Sequence, residues 1–348
     1  MTKQIQSGQR SLAFNALATM LGIAPRESFD IAPADDNFAP GRVLAFNASQ
    51  FSVNAPSEFL TNYAVRYSDP LQQTLQSLRE AIAPEVMSNN SAFVQYPVYG
   101  FTDAFLALDN VLDVRRGIGA DFTTVPNVTH SLVTQKMPEI GLAIEVDEEE
   151  ELLDADWQQR KVALLLGILD RSELRQALAL FIAGATNVNK TWDATAGKDP
   201  DQDVATELNA MMIPPNNVWF GPGAWLKRLL SLRSQNLAGQ ATSSTMTPDQ
   251  LGGMWNATVQ VPKPRYASAA STTAQIFGSV VMMFTAMPGM SKDDFSNLKT
   301  FMAPARNGQR RAVWVRQVGD KRWRIAVSTG KRLVAITSAI GMETITVS

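Results

Sequence analysis

Four groups of residues in this sequence have the types that chemistry needs: an acidic run, a basic run, a glycine pair, and one histidine. The acidic run is Glu145, Asp147, Glu148, Glu149, Glu150 and Glu151, followed by Asp154 and Asp156. A hard-cation site spaces its oxygen ligands around a glycine turn, and a general acid–base pair faces across a cleft from separate elements. Consecutive carboxylates do neither, so the run reads as the charged approach to a helix, available to a basic partner. The basic run supplies that complement. Arg306, Arg310, Arg311, Arg316, Lys321, Arg322, Arg324, Lys331 and Arg332 are opposed over the same stretch only by Asp320. Trp314 and Trp323 alternate within it at strand spacing, where aromatics pack on sheet neighbours rather than stack on bases. Matching of charge between copies of one protein is the preferred reading, with Arg322 and Arg324 as its test positions and a hydrated sheet face as the plainer one.

The glycines of Phe220-Gly-Pro-Gly-Ala-Trp225 stand between a strand and a helix, where a phosphate loop would stand. Neither Gly-x-Gly-x-x-Gly nor Gly-Lys-Ser/Thr is present, and Pro222 removes one amide from any cradle, which favours a structural turn. His130 has no identifiable partner and reads as a surface or packed histidine. With no cysteine and a single histidine, thiolate and histidine metal sites, cysteine nucleophiles and a serine–histidine triad all drop out. No cofactor, metal or catalytic residue is expected, and an enzyme survives only as a carboxylate-based hydrolase. A net charge of −2 exerts no general pull on nucleic acid or anionic membrane, and no apolar run is long enough for a span, so no membrane contact is expected.

The elements that must position these groups follow from pattern. Between Trp157 and Ala183 there is no proline, and Val162, Leu165, Leu166, Leu169, Ala177, Leu178, Phe181 and Ile182 recur at helical steps. Gly184 and Asn187 are expected to stop a helix about 40 Å long. Residues 1–60 carry Pro25, Pro33, Pro40 and Pro56 and lack the apolar surface for a core. They are either a disordered tail or an arm ordered on neighbouring subunits, and Phe29, Phe38, Phe46, Phe51 and Phe59 favour the arm. Asp69-Pro70 opens a short helix with Leu71, Leu75, Leu78 and Ile82 on its apolar face. Strand character then runs through 93–99, 131–133 and 140–146, around a loop tip at 112–127 that holds Arg115 and Arg116. An elongated hairpin fits.

Beyond the long helix, 187–198 reads as a polar turn and Asp199-Pro-Asp201 as a helix start; strands are expected at 217–220, 257–261 and 276–285. Thr247-Pro-Asp-Gln250 is a capping box. Strands 311–318 and 322–328 flank Gly319-Asp320-Lys321 as a hairpin, with further strands at 333–337 and 343–347.

In the order of these units the chain resembles the major capsid proteins of tailed bacteriophages, which share the Hong Kong 97-type coat fold. Tyr96 to Phe105 with Asp109 to Gly119 is similar to the family's extended loop and its tip. Glu145 to Asn187 is similar to the spine helix and its entry. Asn216-Asn-Val-Trp-Phe-Gly-Pro-Gly-Ala-Trp225, and Thr247-Pro-Asp-Gln-Leu251 with Thr258-Val-Gln-Val261, are similar to helix-and-strand steps further along. The resemblance covers about residues 70–348.

It implies an α+β Hong Kong 97-like capsid fold: an N-terminal arm (1–69), an arm-proximal helix (70–91), an extended β-hairpin loop (92–146), a spine helix of the peripheral domain (147–190), a mixed α/β axial domain (191–305) and C-terminal strands returning to the peripheral domain (306–348). It further implies a non-enzymatic shell protein that assembles as hexamers and pentamers around double-stranded phage DNA, held by non-specific contact. Implied partners are a separate scaffolding protein, a portal and a possible decoration protein, with assembly in the host bacterial cytoplasm and a final place in the virion. Inter-subunit contacts are expected at Arg115, Arg116, Glu148, Glu149, Glu150, Glu151, Arg322 and Arg324. Covalent lysine–asparagine welding is not expected, because Lys136 is the hairpin's one lysine and is not at its tip. An encapsulin-like compartment is the alternative within the same fold, and the carboxylate-based hydrolase the alternative outside it.

Overall fold

The computed structural model describes residues 56–67, 75–88, 93–100, 131–147, 156–193, 198–234, 244–287, 294–303, 310–318 and 321–348, together with Thr195 and Gly289. All of them belong to the unit formed by residues 48–348. Residues 1–55, the start of the helix at Asp69-Pro70, the loop tip with Arg115 and Arg116, the histidine His130, and Glu148 to Glu151 lie outside this set.

The long helix, α3, spans Trp157–Gly184. Among the described residues two shorter helices precede it, α1 (Glu58–Arg66) and α2 (Leu75–Ile82). Three follow among the described residues: α4 (Pro200–Ala210), α5 (Pro222–Ser234) and α6 (Pro248–Trp255). The strands are β1 (Glu85–Met87), β2 (Phe93–Val98), β3 (Ser131–Lys136), β4 (Glu139–Asp147), β5 (Thr186–Lys190), β6 (Asn217–Phe220), β7 (Thr258–Gln260), β8 (Arg265–Ala269), β9 (Thr272–Gln275), β10 (Val280–Phe284), β11 (Leu298–Ala303), β12 (Ala312–Gln317), β13 (Arg322–Ile336) and β14 (Glu343–Val347).

The helix serves two cores. Its first half puts Val162, Leu165, Leu166 and Leu169 against Val146, Val313, Ile325 and Val327 of a sheet ordered β1-β11-β13-β12, with β4 on the other edge of β13. Leu60 and Ala64 of α1 close that core, and Ser57 caps α1 while its amide bonds to Val313 O. The second half puts Leu174, Leu178 and Phe181 with Leu75, Leu78 and Ile82 of α2 against Trp219, Met282 and Phe284. Those three side chains come from a mixed sheet ordered β5-β14-β10-β6-β7. Because strand side chains alternate between faces, the residues between them, Val218, Phe220, Val281, Met283, Ile345 and Val347, form a third core under α4, α5 and α6. Burial on both faces explains why Asn217-Val-Trp-Phe220 and Val280 to Phe284 read as apolar runs rather than alternations.

Several sequence expectations need correction. Gly184 does not end α3 through a left-handed turn: the C-cap, Ala185, is extended, and a Cβ at Gly184 would lie 2.4 Å from Ile336 Cδ1. A side chain here would displace the flexible ends of Ile336 and Met342. Ile182 is exposed, not part of the apolar stripe. The polar turn at 187–198 begins with a strand, β5, whose backbone pairs in parallel with β14 some 157 residues later; Thr-Asn-Val-Asn-Lys has no apolar signal because β5 is an edge. The strand expected from 276 begins at Val280, behind a turn with Gly278 at φ 54°. The strands expected at 322–328 and 333–337 are one strand, β13, which changes register at Ser328/Gly330 with Gly330 at φ 80°. That is the geometry of a glycine bulge. The Thr247 capping box forms with both of its bonds, 2.9 and 3.4 Å.

Candidate functional site

Between its two apolar faces α3 presents Asp170 and Glu173, both buried. Each falls at a stripe position, one residue from Leu169 or Leu174, and an ionised carboxylate there requires a partner. The helix α2, the strand β13 and Arg311, the residue before β12, supply it. Arg79 of α2 donates to Glu173 Oε2 through Nη1 and to Glu85 of β1 at 2.5 Å through Nη2. Arg332 of β13 donates through Nη1 to Glu173 and Glu85, each at 3.1 Å, and Thr329 Oγ1 donates to Glu173 Oε1 at 2.7 Å. One turn earlier Arg311 grips both oxygens of Asp170 at 2.8 and 3.1 Å and donates to Ala64 O of α1 at 2.9 Å.

Burial pushes the Asp170 carboxyl up, with the Arg311 guanidinium opposing it. Burial pushes Arg332 down, against the pull of Glu173, while the neighbouring Arg79 and Arg311 charges add to the lowering. A cavity of about 240 Å³ adjoins the cluster, walled by Pro138, Ile140, Leu180, Leu333 and Val334 beside Arg79, Glu173 and Arg332. The cluster pairs its carboxylates with guanidinium groups on opposed elements, so it joins α1, α2, α3 and the sheet rather than presenting a free acid or base.

The basic run therefore divides. Arg311, just before β12, and Arg332 of β13 turn inward under α3 and are satisfied within the chain; they offer no surface charge to another copy. Arg322 and Arg324 stay on the sheet face away from α3. The register of β13 sets Arg322 opposite Asp147 and Arg324 opposite Glu145 on β4, and Arg316 opposite Arg324 on β12. Two members of the acidic run thus lie across from the two arginines within one subunit, a juxtaposition the linear sequence hides. Trp323 is on the inner face, its ring 6.4 Å from that of Trp157, whereas Trp314 shares the outer face with the arginines.

The glycine pair is structural. Gly221 N donates to Val280 O at 2.8 Å and Gly223 N to Gly278 O at 2.9 Å, which consumes the amides an anion would need. A Cβ at Gly221 would lie 2.4 Å from Gly278 O and 2.6 Å from Phe277 O. Lys136 pairs with Phe93 at the base of the β2–β3 hairpin, where Val94 and Tyr96 anchor the strands, the Tyr96 ring stacking 4.9 Å from Phe301.

Sequence reasoning missed Arg79, Glu85, Asp170 and Glu173. Their signal was a charge inside an apolar period, as with Arg79 beside Leu78. It also missed exposed apolar pairs at one-turn spacing: Leu164 and Ile168 on α3 (49% and 43% exposed), and Leu226 and Leu230 on α5 (54% and 56%). Among the described residues no group of three or more acidic or histidine side chains could hold a metal ion, and no helix is long and apolar enough to cross a membrane.

No family model matches the chain, and no curated protein matches it in sequence. Its fold is that of a phage-related protein from Bordetella bronchiseptica RB50, at a TM-score of 0.59 and 18% identity over 84% of this chain and 96% of that one. Lower likeness is found to the capsid of Cyanophage P-SCSP1u (TM-score 0.49, 9% identity, 77% and 87% covered). A capsid protein of a prophage in E. coli CFT073 is similar at TM-score 0.44 and 10% identity, with 84% and 99% covered.

Proposed function

We propose that this chain is a major capsid protein of a tailed bacteriophage, with the Hong Kong 97-type coat fold. It would assemble as hexamers and pentamers into an icosahedral shell around double-stranded DNA. The observation that carries the reading is the fold shared with a phage-related protein across 84% of this chain. In this reading α3 is the spine helix of a peripheral domain built on the β1-β11-β13-β12 sheet. The β5-β14-β10-β6-β7 sheet with α4 to α6 is the axial domain, and β2 and β3 are the stem of the extended loop. The chain is then a shell component and not an enzyme, located in the virion, with a separate scaffolding protein, a portal and a possible decoration protein as further partners. The apolar pairs Leu164/Ile168 and Leu226/Leu230 support it, since adjacent exposed apolar side chains mark surfaces that other proteins cover.

The test is expression of the full chain followed by size-exclusion chromatography and negative-stain microscopy. Closed shells or capsomer-sized rings are expected. A monomer that persists at every concentration, with and without co-expressed phage scaffolding protein, overturns the reading. Protein cargo in place of DNA inside shells purified from infected cells would overturn the assignment to a virus in favour of an encapsulin-like compartment.

A further inference from the structure

The cavity beside the ion cluster has an apolar wall and a charged one. Leu180, Leu333 and Val334 belong to the first, and Arg79, Arg332 and Glu173 to the second. On the charged wall the spare hydrogen-bonding capacity is of one kind. Both oxygens of Glu173 are taken, Oε1 by Thr329 and Oε2 by Arg79 and Arg332. Thr300, which also lines the cavity, donates its hydroxyl to Ala83 O at 3.1 Å. Arg332 spends Nε on Thr329 O and Nη1 on Glu85 and Glu173, which leaves the N–H groups of Nη2. Arg79 Nε is buried and bonds to no described residue. Glu85 Oε2 is a buried acceptor without a hydrogen bond, but it is 3.6 Å from Arg310 Nη1, and Glu85 is not among the residues around the cavity. At the cavity, then, donors exceed acceptors, and two guanidinium groups stand against one carboxylate whose oxygens are already engaged.

We propose that this cavity binds a monocarboxylate with a short aliphatic chain, its head on Arg332 and its chain along Leu180, Leu333 and Val334. A carboxylate answers guanidinium N–H groups both as an acceptor and as a charge. An amine would instead add a cation to the two present, and a head group without a tail would leave the apolar wall uncovered. An apolar cavity of about 150 Å³ accepts benzene, so a volume of about 240 Å³ has room for a six-carbon acid such as hexanoate. The inference concerns a single subunit and does not rest on the shell reading.

Isothermal titration calorimetry of the full chain near neutral pH tests it, with hexanoate as the probe. A dissociation constant below about 1 mM is expected for a ligand of this size. Hexylammonium, of the same length and opposite charge, should bind at least about tenfold more weakly. Acetate, which lacks the chain, should bind about a hundredfold more weakly. Gln176 lines the cavity from an exposed position on α3, so its charge can be changed without disturbing the core. Gln176→Glu should weaken hexanoate about fivefold, and Gln176→Lys should not weaken it. Leu180→Trp, with its fold checked by circular dichroism, should fill the apolar end and abolish binding. A dissociation constant above about 1 mM for hexanoate, equal binding of hexylammonium, or an affinity unmoved by Gln176→Glu overturns the proposal. So does hexanoate that binds the dispersed chain and is excluded from the assembled one, since the cavity would then belong to a carboxylate of a neighbouring copy.

Discussion

Glu173 illustrates how a single residue can be decided by its neighbours. On α3 it sits beside Leu174, and its two oxygens take bonds from Arg79, Arg332 and Thr329. Replacing a buried ion cluster by apolar groups can be neutral, whereas deleting one member strands the others in a medium that cannot solvate them. Glu173→Ala leaves Arg79 and Arg332 to share Glu85 alone. We expect a loss of about 3–5 kcal/mol of unfolding free energy, measured by denaturant titration with an unchanged slope; a loss below about 1 kcal/mol would show that water or Glu85 compensates.

At the scale of the element, two glycines make opposite predictions. Gly221 ends β6 against the backbone of the 276–279 turn, where a Cβ would meet Gly278 O and Phe277 O, atoms that cannot swing aside. Gly221→Ala should cost about 1–3 kcal/mol or more, as overpacking against backbone does. Gly253 lies in α6 with nothing within 4 Å of its would-be Cβ. Gly253→Ala should stabilise by about 0.5–1 kcal/mol, because alanine gives up less backbone freedom on becoming helical. Thermal unfolding of the two variants side by side checks both signs. Local rules were legible in this part of the chain: the Thr247 capping box, the Asp199 cap of α4 with bonds to Asp201 N and Gln202 N, and the strand–turn–helix step at Phe220 to Trp225 all form. The β8–β9 hairpin and β5 were not legible, since exposed polar strands owe their conformation to a partner backbone rather than to their own side chains.

For the whole molecule the open question is what its surface charge meets. Arg322 and Arg324 face Asp147 and Glu145 within the subunit, so a reversal of both arginines places like charges across β4 and β13, at about 0.2–1 kcal/mol per pair. Arg322→Glu with Arg324→Glu should leave a folded subunit but lower the yield of assembled shells, measured by sedimentation. Adding Glu145→Lys and Asp147→Lys restores the match inside the subunit. If the yield stays low in that fourfold variant, the arginines meet a neighbouring copy; full recovery would place their role wholly within the sheet.

The long helix, its apolar stripe apart from Ile182, the hairpin stem and most strands were legible in the sequence, because periodicity and capping are properties of neighbours in the chain. It also excluded thiol chemistry outright, by composition, and left a single histidine, His130, for any histidine chemistry. Tertiary structure decided which charges are internal. Arg311 and Arg324 are both arginines of one basic run, yet the first is clamped on Asp170 inside the protein and the second lies on the outer face of a sheet. That division comes from strand register and from the packing of α3 over one face. Both depend on residues more than a hundred positions away, and burial, not residue type, sets whether a charge must find its partner at home.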